Sequence, residues 1–273
     1  MSLFPGLKIA YKVLRSILFA LISIGALIYV GLYISLSIPG VQQSIKSKAE
    51  KAVTDFLNAQ VKIERMSIVP FSEVKMTGVD FYTPEGEKCI SVKTLGAGIN
   101  LWRLVSVGKV EITYAEVIGL TADINKPTPE SPLNIQYIID ALSPKDKNKP
   151  PTPFDLTLHS VVIRNSNLSY NILSVPARQN SSEFDPNHVS LADLRADVAL
   201  PRLKNDDFII DLRRLSFKER SGLTVERLTA FAHITAQSLD MSKFSLRLPA
   251  SKLSISDISL RFDSLKNIGK SLE

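Results

Sequence analysis

Hydrophobic positions fall along this chain in three regimes: one unbroken run, one stretch at three- and four-residue spacing, and a long remainder at period two. The run is SILFALISIGALIYVGLYISLSIPG, residues 16–40. No charged residue stands between Ser16 and Ile45. As a helix at about 1.5 Å per residue, Ile17 to Ile38 can cross a hydrocarbon core of about 30 Å. Residues 16–38 are therefore read as a transmembrane anchor built on Ile17, Leu18, Phe19, Leu21, Ile22, Ile24, Leu27, Ile28, Val30, Leu32, Ile34, Leu36 and Ile38. A signal peptide is the competing reading, with Ser35-Leu36-Ser37 as a small-x-small site, but signal apolar regions run about 7 to 15 residues. The greater length, and the passage from Pro39 straight into a helical pattern, favour a retained anchor. Lys8, Lys12 and Arg15 precede the span without an acid, so residues 1–15 are read as a basic cytoplasmic N-terminus with the bulk of the chain on the far side. Lys46, Lys48 and Lys51, interspersed with Glu50 and Asp55, reduce that bias.

After Pro39, Val41, Ile45, Ala49, Ala52, Val53 and Phe56 recur every three or four residues, predicting an amphipathic juxtamembrane helix over residues 39–58. From Val61 the period changes to two. Val61 and Ile63, then Val74, Met76, Val79 and Phe81, then Ile90 and Val92 mark half-buried strands in a first β segment, residues 59–125. TPEGEK, residues 83–88, predicts a hairpin connection, and Gly108 a turn before a strand starting at Lys109 or Val110. NLWRLV, residues 100–105, looks like a short helical turn.

Residues 126–153 punctuate the chain as a Pro-rich linker. Within it, residues 133–142 predict a short helix with Ile135, Ile138, Ile139 and Leu142 on one face. Pro144, Pro150, Pro151 and Pro153 forbid regular structure beyond. The stretch is either a surface loop or a helix that caps the sheet. From residue 154 to 273, the second β segment, the pattern is almost wholly strand, broken by a polar loop over residues 176–188. A shift of 90 positions lays Phe244, Leu246, Leu248, Leu253, Ile258, Leu260 and Phe262 on Phe154, Leu156, Leu158, Ile163, Leu168, Tyr170 and Ile172. Ile255 falls on Asn165. Either this is a weak repeat or two hairpins with similar turns.

Composition changes the picture little. The net charge of +6 over 273 residues comes from interspersed Lys/Arg and Asp/Glu, which argues against a nucleic-acid partner. The single cysteine, Cys89, rules out an internal disulfide. No P-loop, dinucleotide turn, H-E-x-x-H or G-x-S-x-G is present, and His159, His188 and His233 lack metal-ligand spacing, so neither enzyme chemistry nor a cofactor or metal is expected. DLRRLSFKER, residues 211–220, is read as a solvated strand face in preference to a lipid head-group site.

The strands themselves pose the functional question. Antiparallel strands with one apolar face need a cover, and the two short helices are too few for so much sheet. Either the sheet closes on itself as a sandwich or barrel, or it curls into an elongated groove for an apolar ligand. Leu156, Leu158, Ile163, Leu168, Tyr170, Phe244, Leu246, Leu248, Leu260 and Phe262 are the candidate lining. At about 0.8 kcal/mol per buried methylene, one acyl chain gains on the order of 10 kcal/mol from such a face.

The order of elements resembles the AsmA-like superfamily, most closely the N-terminal part of TamB-like proteins. The resemblance rests on the span, the Pro and helix of residues 38–58, GVDFYTPEGE (78–87), INLWRLVSVGKVEI (99–112), GLTADI (119–124), SPLNIQYIID (131–140) and LSFKERSGLTVERL (215–228). It implies a mainly β protein: a curled antiparallel sheet with a lipid-lined groove, held in the bacterial inner membrane by one N-terminal helix and extending into the periplasm. It also implies a non-catalytic role in moving phospholipid towards the outer membrane, or in outer-membrane protein assembly with a barrel partner. TamB-like proteins continue through a long β-helical body, whereas this sequence ends at SLKNIGKSLE. It is therefore expected to be a fragment or a short family member, without the region that engages the barrel.

Overall fold

The computed structural model describes residues 5–69, 73–99, 106, 110–142, 154–178, 183–204 and 207–262. Helix α1 (Pro5–Ser37) starts inside the basic flank, which places Lys8, Lys12 and Arg15 on its early turns. Its segment Leu14–Ser37 is long and apolar enough to cross a membrane, and none of its most apolar window is buried. Helix α2 (Pro39–Leu57) opens on a proline, whose missing N–H would have no partner in a first turn anyway. It ends at Asn58, whose left-handed φ of 52° turns the chain into the sheet while its N–H bonds Thr54 O.

The strands are β1 (Val61–Val69), β2 (Glu73–Tyr82), β3 (Lys88–Ile99), β4 (Val110–Lys126), β5 (Phe154–Ile172), β6 (His188–Lys204), β7 (Asp207–Glu219), β8 (Thr224–Thr235), β9 (Ser238–Leu248) and β10 (Ser251–Arg261). They form one ten-stranded sheet in chain order, with β1 and β10 as its edges, so these strands close into neither a barrel nor a sandwich. Both β segments run through this one sheet. Helix α3 (Gln136–Leu142), three residues shorter at its start than its sequence pattern predicts, lies in the connection between them. The expected turn over residues 100–105 lies outside the described residues.

Two expectations are corrected. The sheet is not wholly antiparallel: β4 and β5 pair in parallel, from Val110 opposite Phe154 to Lys126 opposite Ile172. Parallel neighbours need a long crossover, and residues 127–153 supply it. The 90-residue shift also fails as a structural repeat. Residues 244–262 form most of the β9–β10 hairpin, whereas residues 154–172 are the single strand β5. Bulges between Ile163 and Leu168, with Asn165 at φ 50°, break the period-two pattern of β5 into what reads as separate runs.

That irregularity belongs to a line crossing the sheet. Gly78 (β2), Gly119 (β4), Asn165 (β5), Asp193 (β6) and Lys243 (β9) all have positive φ. A Cβ on Gly78 would lie 2.7 Å from Glu64 Cβ, and one on Gly119 would lie 2.9 Å from Lys93 Cγ, so glycine is required at both by contact as well as by conformation. At this line β1 to β4 each slip one step in their alternation. Ile63 and Met66, Val79 and Met76, Val92 and Leu95, and Leu120 and Val117 are three residues apart, yet all belong to one packed cluster.

That cluster is the core of the β1–β4 end. Leu57, Val61, Ile63, Val79 and Val92 are buried, with Ala49, Val53 and Phe56 of α2 and Tyr137, Ile138 and Ala141 of α3 packed over them. Helix α2 also guards the β1 edge: Thr54 Oγ1 accepts from Val61 N–H at 3.1 Å and Glu50 Oε1 from Ile63 N–H at 2.7 Å. Glu50→Ala is expected to lower unfolding free energy by about 1–2 kcal/mol in denaturant titration, with Glu50→Gln less damaging because it keeps an acceptor.

Candidate functional site: an apolar row across ten strands

Strand register assembles what no single segment shows. Met66, Met76, Leu95, Val117, Ile163, Ala196, Leu215, Leu228, Leu246 and Leu253 are successive cross-strand partners from β1 to β10. Every member is apolar. Beside it, Ile68, Val74, Ala97, Ala115, Val161, Val198, Leu212 and Ala230 form a second unbroken row over eight strands. At about 4.8 Å between strands, the first row is about 43 Å long.

The cover differs along the row. On β1–β4 its members pack against the cluster under α2 and α3. On β5–β10 no described helix brings its backbone close to the sheet. There Ile163, Ala196, Leu215, Leu228 and Leu246 stay half-buried, and Leu253 is 51% exposed, against 1% for Val79 in the core.

The sequence-derived lining residues distribute over this sheet. Ile163 and Leu246 belong to the long row. Leu168 pairs with Ala122 and Leu191, Tyr170 with Ile124 and Val189, Phe244 with Ile255, and Leu260 with Leu239. Leu248 sits opposite Ser251 at the hairpin, and Phe262 follows β10, its N–H bonding Gln237 O. The β5 backbone carries Leu156, opposite Ile112, and Leu158 on the stretch next to it. Sequence reasoning missed Leu215, Leu228 and Leu253. Their period-two setting is visible in the sequence, but their alignment depends on bulges that it does not announce.

The titratable groups are occupied structurally. Cys89 is buried, its Sγ 3.4 Å from both Phe81 O and Tyr137 Oη, which ties β3 to α3. Burial, then the Cys89 contact, pushes the Tyr137 hydroxyl above its ordinary range. His159 is exposed, while His188 Nδ1 meets Asp185 at 3.1 Å and His233 Nε2 meets Asp207 at 2.9 Å. Within residues 211–220, Arg213 pairs with Asp211 and Lys218 with Asp193, and Glu219 turns inward.

Asp185, 4% exposed, ties down the loop before β6. The N–H of Arg178, at 3.1 Å, is the chief cause holding its carboxyl below the usual range; burial opposes it, while the Asn187 N–H and the His188 ring add to it. At Glu219 burial pushes upward, but bonds from Ser221, Ser190 and Arg220 outweigh it and leave the carboxyl lowered. A folded pKa below the unfolded value, about 3.9 for Asp and 4.3 for Glu, stabilises fully above that value and is lost as pH falls through the folded one. Melting temperature is therefore expected to drop as pH is lowered from about 5 to about 3. Asp185→Asn is expected to melt lower at pH 7 and to show a shallower slope in that window.

Comparison with known proteins finds no matching family model, no similar curated protein and no similar solved structure.

Proposed function

We propose that this chain is a non-catalytic, membrane-anchored lipid-handling protein whose sheet forms an elongated groove holding phospholipid acyl chains on its apolar face. The observation that carries this reading is the ten-strand apolar row, helix-covered over β1–β4 and bare of helix over β5–β10 among the described residues. A row about 43 Å long has room for an extended acyl chain. At about 0.8 kcal/mol per buried methylene, one chain recovers on the order of 10 kcal/mol, enough for lipid to take the place of a protein cover.

Lys8, Lys12 and Arg15 on the early turns of α1 support an N-terminus in the cytoplasm, and the resemblance to AsmA-like and TamB-like proteins supports a bacterial inner-membrane anchor with the sheet in the periplasm. In this reading the protein passes phospholipid between inner and outer membranes, serves outer-membrane protein assembly, or does both.

The test is site-specific photocrosslinking. A photoreactive phenylalanine analogue at Leu228, on the row, is compared with one at Thr229, on the opposite face, in whole cells, and adducts are identified by mass spectrometry. Phospholipid attached at Leu228 but not at Thr229 is the expected result. Equal labelling at both positions, or none at Leu228, overturns the reading.

A further inference from the structure

The two edges of the sheet are finished differently. Along β1, helix α2 takes the N–H groups of Val61 and Ile63 through Thr54 and Glu50. Along β10 no described helix or strand runs on the outer side. Proteins usually blunt an edge with proline, a covering element or a short strand. β10 has none of these: it runs eleven residues without proline, and its Leu253 and Leu260 are 51% and 39% exposed. Its sequence is nearly a palindrome. In KLSISDISLR, residues 252–261, Lys252 matches Arg261, Leu253 matches Leu260, Ser254 matches Ser259 and Ile255 matches Ile258, with Ser256 and Asp257 at the centre. The faces obey the same symmetry. Leu253, Ile255, Ile258 and Leu260 lie opposite Leu246, Phe244, Met241 and Leu239 on β9, and the alternation shifts one step at the centre, beside Lys243 with its φ of 56°. On β8, Leu228, Ala232 and Ile234 keep period two opposite Leu246, Met241 and Leu239, which ties both halves of β10 to the apolar face.

We propose that β10 pairs antiparallel with β10 of a second copy of this chain, about a two-fold axis between Ser256 and Asp257. A two-fold axis makes residue i face j and j face i, so a palindromic edge sets each side chain against its own kind. Leu253 faces the second copy's Leu260, Ile255 its Ile258 and Ser254 its Ser259, with both apolar faces on one side of the joined sheet. Other registers lose this. A slip of two residues sets Leu260 against Ser251 or Ile258 against Asp257, and a slip of one turns apolar residues to the polar face. Lys252 faces the second copy's Arg261 at the ends of the pairing, where both are exposed to screening ions and Arg261 is held by Asp240 at 3.4 Å. Because α2 guards β1, no second open edge remains and the assembly closes at two. Two anchors entering one bilayer from the same side place the axis along the membrane normal. The pairing also lengthens the long apolar row: from Leu253 it passes to the second copy's Leu260 and on to that copy's Leu239, Ile234 and Phe208. Fourteen strands then carry it over about 62 Å. On the lipid-groove reading two copies share one path, but the pairing stands on the β10 edge alone and not on what fills the row.

The test uses the full chain in detergent and places charge at the exposed facing positions. One variant carries Leu253→Lys/Leu260→Lys and the other Leu253→Glu/Leu260→Glu. In sedimentation equilibrium the wild type should be dimeric. Each variant alone should dissociate at least about tenfold more readily, with a melting temperature close to wild type, because like charges then face each other across the edge. An equimolar mixture of the two should restore dimers. Register is read by mild oxidation, for which the native Cys89 is buried. A Ser254→Cys chain mixed with a Ser259→Cys chain should give a disulfide-linked dimer, whereas neither should link to itself, since the two copies of one position lie about 17 Å apart along the strands. A monomeric wild type, a dimer that both charged variants keep, or a Ser254→Cys chain that links to itself as readily as to its partner overturns the proposal. Open-ended oligomers overturn it as well, because they would bring β1 into the interface.

Discussion

Val79→Asp is expected to yield no folded protein: no cooperative thermal transition, and rapid proteolysis of the segment after α1. Val79 is 1% exposed and sits between Ile63 on β1 and Val92 on β3, roofed by α2 and α3. No buried side-chain N or O atom in the described structure lacks a hydrogen-bond partner, so an aspartate there would enter a site with no polar group waiting for it. An unpaired carboxylate in such surroundings costs several kcal/mol, and the loss of the valine contacts adds about 1–2 more. Domain stability is commonly about 5–15 kcal/mol, so the substitution consumes most of what is available. Circular dichroism of the purified variant checks it; a wild-type melting curve would mean that the α2–sheet contact is not the core.

Val79 also marks where the sequence was readable and where it was not. The unbroken run of α1 and the three-and-four spacing of α2 are local signals, and both helices lie where those signals put them. The strands are legible for the same reason, since period two is written into neighbouring residues. Their arrangement is not. Parallel pairing of β4 with β5 leaves no mark on either strand, only a long connection between them. Asn165 and Asp193 adopt positive φ readily enough to be unsurprising afterwards, but nothing around Lys243 advertises the same conformation. These points decide which residues share a face. Without them Ile163, Leu228 and Leu253 are three apolar residues in unrelated segments; with them they are one row.

On the lipid-groove proposal, Leu228→Asp is expected to give the opposite outcome to Val79→Asp: a folded protein that carries less phospholipid. Leu228 lies between Leu215 on β7 and Leu246 on β9, half-buried by its sheet neighbours and beneath no described helix. In the protein alone its carboxylate can reach water, so the melting temperature should fall by no more than a few degrees. With an acyl chain along the row, the same carboxylate must either be desolvated against hydrocarbon or hold the chain away from Leu215 and Leu246. Either course costs several kcal/mol, and each 1.4 kcal/mol is about tenfold in occupancy. Phospholipid extracted from the detergent-purified variant should therefore fall by at least about tenfold relative to wild type, while Thr229→Asp on the other face leaves it unchanged. The comparison separates the two fates of an apolar sheet face. If a protein element roofed the row at Leu228, the variant would unfold like Val79→Asp; if lipid roofs it, folding and lipid content come apart.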